Sequence, residues 1–132
     1  MRGTGREGGA ATTELVIAMP LLLLLVLLVV QFALWQHAIH IADAAAQEGA
    51  RAARLQGGTA AAGEARARVF LSQLSPTILT HADVVARRDG DTAGVEVKGE
   101  SLMVVPGLHL PVRALSQGPV EVFRPATADR SP

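Results

Sequence analysis

The fold of this chain is decided by Gly9-Ala-Ala-Thr-Thr-Glu14 and by the apolar run that follows it, Leu15-Val-Ile-Ala-Met-Pro-Leu-Leu-Leu-Leu-Leu-Val-Leu-Leu-Val-Val-Gln-Phe-Ala-Leu-Trp35. Gln31 is the one strongly polar residue of that run. Twenty helical residues extend about 30 Å, the thickness of the hydrocarbon core of a bilayer. A backbone in lipid must satisfy its own hydrogen bonds, which favours a helix. Since the rest of the chain is too small to surround a buried core helix, the run predicts a single membrane span.

The flanks of the apolar run predict its orientation. Arg2 and Arg6 precede it, whereas the stretch from His37 to Glu48 contains no Lys or Arg. Because basic flanks are retained in the cytoplasm, we expect the N-terminus inside and the C-terminal part outside the cytoplasmic membrane.

The helix is expected to continue well beyond the span. No helix breaker occurs between Trp35 and Gly57-Gly58, so one helix from Glu14 to Gln56 is predicted, about 65 Å long. Its outer part carries a seam of small residues at spacings of four and three: Ala38, Ala42, Ala45, Gly49 and Ala52. Such a seam lets another helix approach closely, but an alanine-rich sequence also produces it by chance. Both alternatives remain open.

The remainder predicts a small α+β domain. A second helix is expected over residues 60–74, because apolar residues recur there at helical spacing. Alternation with a period of two then predicts a hairpin from about 82–87 and 95–98, and a second pair of strands at 108–115 and 120–123. The predicted fold class is an α+β membrane protein, with a long N-terminal transmembrane helix extending outward, a short helix and a small antiparallel β domain.

These elements divide the chain into four parts. We predict a cytoplasmic leader at 1–9, a transmembrane and extended helix at 10–56 that spans the membrane at about 15–35, an extracytoplasmic domain at 57–124, and a disordered tail at 125–132. The whole chain contains one Trp, three Phe, no Tyr and no Cys, so the outer domain has few large core side chains and no disulfide. Weak stability is expected for it in isolation.

The sequence gives little support to an enzyme or to a nucleic-acid-binding protein. The net charge is zero and no basic block stands out. His37, His40 and Asp43 share a helix, but no Cys or second His pair accompanies them, so solvated histidines are expected rather than a metal site. No phosphate-binding glycine loop or nucleophile signature is present. We therefore predict no catalytic residue, no cofactor and no metal.

The N-terminal pattern combines several features. Gly8-Gly9 follows a basic leader, Glu14 is the fifth residue after Gly9, and the stretches Ala11-Thr-Thr-Glu-Leu-Val-Ile-Ala-Met-Pro20 and Ala44-Ala-Ala-Gln-Glu-Gly-Ala-Arg-Ala-Ala53 flank the leucine-rich run. This pattern resembles the type IV prepilins and, more closely, the TadE-like minor pilins or pseudopilins of tight-adherence pilus systems. The resemblance covers about residues 8–55.

The resemblance implies a structural component of a Tad-type pilus or a related secretion system. A prepilin peptidase would cut at Gly8–Gly9 or at Gly9–Ala10, and both bonds stay open because Ala10 replaces the bulky residue common there in type IV pilins. Glu14 would pair with the freed α-amine of a neighbouring subunit, and Pro20 lies where a proline recurs in these families. Further implied partners are a pilus assembly ATPase, an inner-membrane platform, and major and minor pilin subunits.

Three alternatives accompany this interpretation. Glu14 could simply be an acid at the headgroup level that marks a helix start, where the dipole favours negative charge. The chain could be a monomeric single-pass protein whose outer domain binds another molecule. It could also be a secreted domain released by signal peptidase, for which Ala42-Asp-Ala44 offers a small-x-small site.

Overall fold

A computed structural model of the chain describes residues 7–74 and 76–122. It contains two helices and three strands: α1 Glu7–Arg54, α2 Ala60–Leu74, β1 Leu79–Arg88, β2 Thr92–Ser101 and β3 Pro111–Pro119. The predicted fold class is confirmed, because a long apolar N-terminal helix is followed by a short helix and a small antiparallel sheet. The residues expected to form a disordered tail, 125–132, lie outside the described part.

Helix α1 has 48 residues and passes through Pro20 without interruption. It is about 72 Å long at 1.5 Å per residue. It ends at Arg54, two residues before the predicted end, and Gly57 follows with a φ of 75°. A left-handed glycine just beyond the last turn is a common way to end a helix, because a residue without a Cβ adopts it at low cost.

The three strands form one antiparallel sheet in the order β1-β2-β3. In the predicted first hairpin, Val84 pairs with Val97, which in turn pairs with Ala114 on β3. These residues are buried, and the alternate positions face away from the helices. The first hairpin is therefore confirmed. The second helix is also confirmed, because α2 occupies the predicted residues 60–74.

The predicted second hairpin is wrong. Residues 116–119, expected to form its turn, continue β3 in register with β2, with Gln117 opposite Gly94 and Pro119 opposite Thr92. The alternation of buried Val112 and Ala114 continues with half-buried Ser116 and Gly118, and a proline is tolerated at the end of an edge strand. Residues 120–122 form no strand, and Phe123 lies outside the described part.

The core lies between the outer half of α1 (residues 31–54), helix α2 and one face of the sheet. Most of the α1 contribution is alanine, which brings the helix backbone close to the valines of the sheet. The fully enclosed positions on α1 are Ala38, Ala42, Ala45, Ala50 and Ala53. The outer half of α1 is therefore an integral part of the small α+β unit.

Candidate functional site

The inner half of α1 (residues 7–30) projects away from the rest of the molecule. Its large apolar side chains are exposed, with Ile17 at 67%. Within residues 7–74 and 76–122, α1 is the one helix long and apolar enough to cross a membrane. A solvent-facing apolar surface of this extent indicates a single-pass membrane anchor.

The predicted cleavage residues Gly8, Gly9 and Ala10 lie in the first turns of α1 and are exposed. The hydroxyl of Thr12 donates to the carbonyl of Gly8 at 2.8 Å, and that of Thr13 donates to the carbonyl of Gly9 at 2.9 Å. The carbonyl groups of both candidate scissile bonds are thus held inside the helix. A Cβ added at either glycine would meet nothing within 4 Å.

Glu14 lies two turns inside α1 and is exposed. Among the described residues it forms no ion pair. Pro20 lies six residues further on, where it removes one backbone donor from the helix. The structure therefore keeps Glu14 and Pro20 apart from the packed outer half of the chain.

The small-residue seam has neighbours within the chain. Ala38, Ala42, Ala45 and Gly49 are buried and Ala52 is half-buried. An added Cβ on Gly49 would lie 2.7 Å from the carbonyl oxygen of Gly63 and 2.9 Å from the Cβ of Ala67, both on α2. The close helix approach at Gly49 is thus made by α2 of the same chain.

Gln31 has a structural role that the sequence analysis did not predict. Its side chain is 1% exposed. Its Nε2 donates to the carbonyl of Leu102 at 3.0 Å and to Oγ of Ser101 at 3.3 Å, and its Oε1 accepts from the backbone N–H groups of Val104 at 2.6 Å and Val105 at 3.1 Å. The sequence signal was a lone glutamine in an apolar run, but its partners are 70 to 74 residues away in the chain.

Trp35 adds a second attachment one turn further along α1. Its indole Nε1 donates to the carbonyl of Pro111 at 3.0 Å, and its ring lies 5.7 Å from that of Phe32. Gln31 therefore fixes the connection between β2 and β3 to α1, and Trp35 fixes the start of β3, both inside the segment 15–35 predicted to span the membrane.

Polar contacts hold the opposite end of the α+β unit. Arg88 donates to the carbonyl of Ala53, in the last turn of α1 where carbonyls lack helical partners, and to the carbonyl of Leu55 just beyond the helix. Arg66 on α2 contacts Glu48 on α1 at 2.8 Å. These contacts fix how α1 ends and how α2 folds back along it.

The outer face of the sheet carries an ion-pair cluster of Glu96, Lys98 and Arg113. Partial burial alone would raise the pKa of the Glu96 carboxyl, but the hydrogen bond and charge of Arg113, with Lys98 in support, outweigh it. The pKa of Glu96 therefore lies below its usual range.

The histidines on α1 do not form part of a recognisable metal site. His37 and His40 are exposed and Asp43 is half-buried. Across the described ranges, no group of three or more His, Cys, Asp or Glu side chains is arranged to hold a metal ion.

Comparison with known proteins gives one match. The family model described as TadE-like protein matches residues 9–51, which begin at a candidate cleavage position and end in the packed part of α1. Neither the curated proteins nor the solved structures give a match. The family match confirms the resemblance seen in the sequence: residues 9–51 of this chain form a TadE-like segment.

Proposed function

We propose that this protein is a minor pilin or pseudopilin, a structural component of a Tad-type pilus or a related secretion system. The observation that carries the proposal is the TadE-like match over residues 9–51, which coincides with the apolar helix and its N-terminal glycines. A TadE-like segment indicates a pilin-like component associated with a Tad pilus. The proposed role is structural rather than enzymatic.

The division of α1 into two halves supports this role. The inner half offers an apolar surface with no packing partner among the described residues, which suits lipid before assembly and neighbouring apolar helices afterwards. The outer half is already covered by α2 and the sheet. In this proposal subunits therefore associate mainly through residues 10–30, and the α+β unit remains outside that helix bundle.

Processing by a prepilin peptidase follows from the proposal. Cleavage at Gly8–Gly9 or Gly9–Ala10 would leave an α-amine four or five residues before Glu14. Since both bonds are helical here, the peptidase must first open the first turn of α1. The two glycines lower the cost of that opening, because Gly is the least favourable helix residue after Pro.

Glu14 is proposed to pair with the new α-amine of an adjacent subunit. A carboxylate exposed beside an apolar surface has no counter-charge among the described residues. A neighbouring α-amine would supply one and would set the axial register between two helices, and Pro20 is proposed to shape the same interface. The further proposed partners are the pilus assembly ATPase, the inner-membrane platform, and major and minor pilins.

The experiment that tests this function is the identification of the mature N-terminus in cells with and without the prepilin peptidase. An N-terminus at Ala10 or Gly9 that depends on the peptidase is expected. Met1 retained in both strains would favour a monomeric membrane-anchored binding protein. A start near Ala45 would indicate release by signal peptidase, and it would also remove Ala38, Ile41 and Ala42 from the core.

A further inference from the structure

The connection between β2 and β3 is unusually apolar for an irregular segment. It reads Leu102-Met-Val-Val-Pro-Gly-Leu-His-Leu110 and contains no Lys, Arg, Asp or Glu. We call residues 102–110 the apolar loop. It is seated on Gln31, so it lies beside the last turns of the apolar run and not beyond them.

The depth of this loop follows from the geometry of α1. Between Glu14 and His37 lie only apolar residues and two glutamines, Gln31 and Gln36. That segment is about 33 Å long, close to the ~30 Å of a hydrocarbon core. Gln31 precedes His37 by six residues, or about 9 Å along the helix axis. It precedes Trp35, a residue type that prefers the membrane interface, by about 6 Å. The level of Gln31 is therefore inside the hydrocarbon.

Irregular backbone at this depth requires internal partners for its polar groups, because lipid offers none. Gln31 provides them by accepting from the N–H groups of Val104 and Val105 and donating to the carbonyl of Leu102. The N–H of Leu102 donates to the carbonyl of Ile78 at 2.8 Å, and Pro106 has no N–H to satisfy.

The outward surface of the loop continues the lipid-facing surface of α1. Leu102 is 38% and Met103 45% exposed, and Phe32 on the adjacent turn of α1 is 55% exposed. The first charged side chain reached from the loop is Glu100, whose carboxylate lies 3.4 Å from Nδ1 of His109. The charged residues Asp89 and Asp91 lie in the turn at the other end of the sheet, and Arg88 precedes that turn at the end of β1.

We propose that the apolar loop inserts into the acyl chains of the leaflet on the side of the α+β unit. The protein then contacts the membrane twice, through the inner half of α1 and through residues 102–110. With both contacts the α+β unit is held at a fixed height and rotation against the bilayer, with Glu100 and His109 at the headgroup level. Lipid is favoured over a second copy of the chain because the exposed surface of the loop is continuous with that of Phe32, which lies outside the residues 10–30 proposed to join subunits.

Site-directed quenching in vesicles tests this proposal, and the absence of cysteine makes single-cysteine variants of the full chain straightforward. Met103→Cys, Phe32→Cys and Leu55→Cys would each carry an environment-sensitive fluorophore in phosphatidylcholine vesicles. Phe32 is the reference for a lipid-facing site. Leu55 is the matched control, since it is also apolar and exposed (52%) but lies at the far end of α1.

The label at position 103 should be quenched by nitroxides on lipid acyl chains to the same extent as that at position 32. Aqueous iodide should quench the fluorescence of the label at position 55 and not that of the labels at positions 32 and 103. Leu102→Cys repeats the measurement from a second position, so that a local distortion at residue 103 does not decide the result. Iodide access at 102 and 103 equal to that at 55 would overturn the proposal. It would also fail if protection disappears when the protein is diluted into more lipid, because a second copy would then cover the loop.

Discussion

Gln31 is a polar side chain in an apolar span, and the apolar loop beside it has backbone groups that need hydrogen-bond partners. An unpaired glutamine at this depth would be costly, and so would the free N–H groups of Val104 and Val105. Gln31 and the loop satisfy each other through three hydrogen bonds of 2.6 to 3.1 Å, and Gln31 also donates to Oγ of Ser101 on β2 at 3.3 Å. The pairing gives one side chain three hydrogen bonds to the backbone of the first half of the apolar loop.

Replacing Gln31 by Leu should release that loop. The substitution leaves the half-buried N–H groups of Val104 and Val105 and the carbonyl of Leu102 without their partner. Each such group costs about 1–3 kcal/mol where water cannot replace the partner. Hydrogen–deuterium exchange of full-length protein in micelles should therefore become faster over residues 102–110. Gln36→Leu, at an exposed position on the same helix, is the control. Equal exchange in the two variants would show that Gln31 does not hold the loop.

Glu96 gives the α+β unit an acid-sensitive contact. Because its folded-state pKa is lowered, mainly by Arg113, the carboxylate contributes stability above its usual pKa, and that contribution is lost as the pH falls through the lower folded value. Glu96→Gln should therefore lower the urea midpoint at pH 7, and its difference from the native chain should shrink toward pH 3. In an Arg113→Gln background the effect of Glu96→Gln should be smaller. A difference that does not vary with pH would contradict this account.

At the scale of elements, the approach of α1 to α2 depends on a pair of glycines. The Cβ that Gly49 lacks would lie 2.7 Å from the backbone oxygen of Gly63, and backbone cannot move aside as a flexible side chain can. Gly63 is the counterpart, since its Cβ would lie 2.8 Å from the carbonyl oxygen of Gly49. The two helices therefore pack at a distance that other residues do not permit.

Gly49→Ala should destabilise the protein even though alanine is the better helix former. The propensity gain is about 1 kcal/mol, whereas overpacking a close contact typically costs 1–3 kcal/mol. A lower midpoint of chemical unfolding in micelles is expected. Gly90→Ala, where an added Cβ meets nothing within 4 Å, should change the midpoint little. If Gly49→Ala raised the midpoint, the helices would be more loosely packed than described.

The elements differ in how far the sequence could predict them. Leu15–Trp35 and residues 60–74 have strong helical patterns, and the turn-rich segment between β1 and β2 identifies their hairpin. The end of β3 could not be read in this way, because Ser116-Gln-Gly-Pro119 has turn composition yet is held extended by pairing with β2. Gln31 was visible as an exception in the run, but its partners depend on how a sheet 70 residues later docks against the helix.

For the whole molecule, α1 is shared between the membrane and the folded unit. Its outer half supplies much of the core through buried alanines, and Arg88 closes its C-terminal end. The predicted boundary between a helix at 10–56 and a domain at 57–124 follows the order of the chain, whereas the packed unit begins near Gln31. Because a domain this small buries little apolar surface, losing the α1 residues of its core should lower its stability strongly.

A fragment of residues 57–122 should consequently fail to fold cooperatively, whereas residues 31–122 should fold. The first lacks the whole α1 face of the core and the second retains it together with Gln31 and Trp35. Thermal unfolding followed by circular dichroism, with dispersion of amide NMR signals, would compare the two. A sharp transition in the shorter fragment would show that α1 is dispensable to the core.

Incorporation of a Glu14→Ala variant into pili is the measurement that tests the proposed function most directly. Removing the carboxylate should leave insertion and cleavage intact, since the membrane resists the charge and Gly8, Gly9 and Ala10 are unchanged. Assembly should fail, because the α-amine of a neighbour would be buried without its counter-charge. Breaking a buried pair costs about 3–5 kcal/mol, which corresponds to more than a hundredfold loss of incorporated protein. Glu14→Asp should be intermediate and Glu14→Gln nearly as defective as Glu14→Ala. If processed Glu14→Ala is recovered with pili as abundantly as the native protein, Glu14 does not pair subunits and the proposed assembly mechanism is wrong.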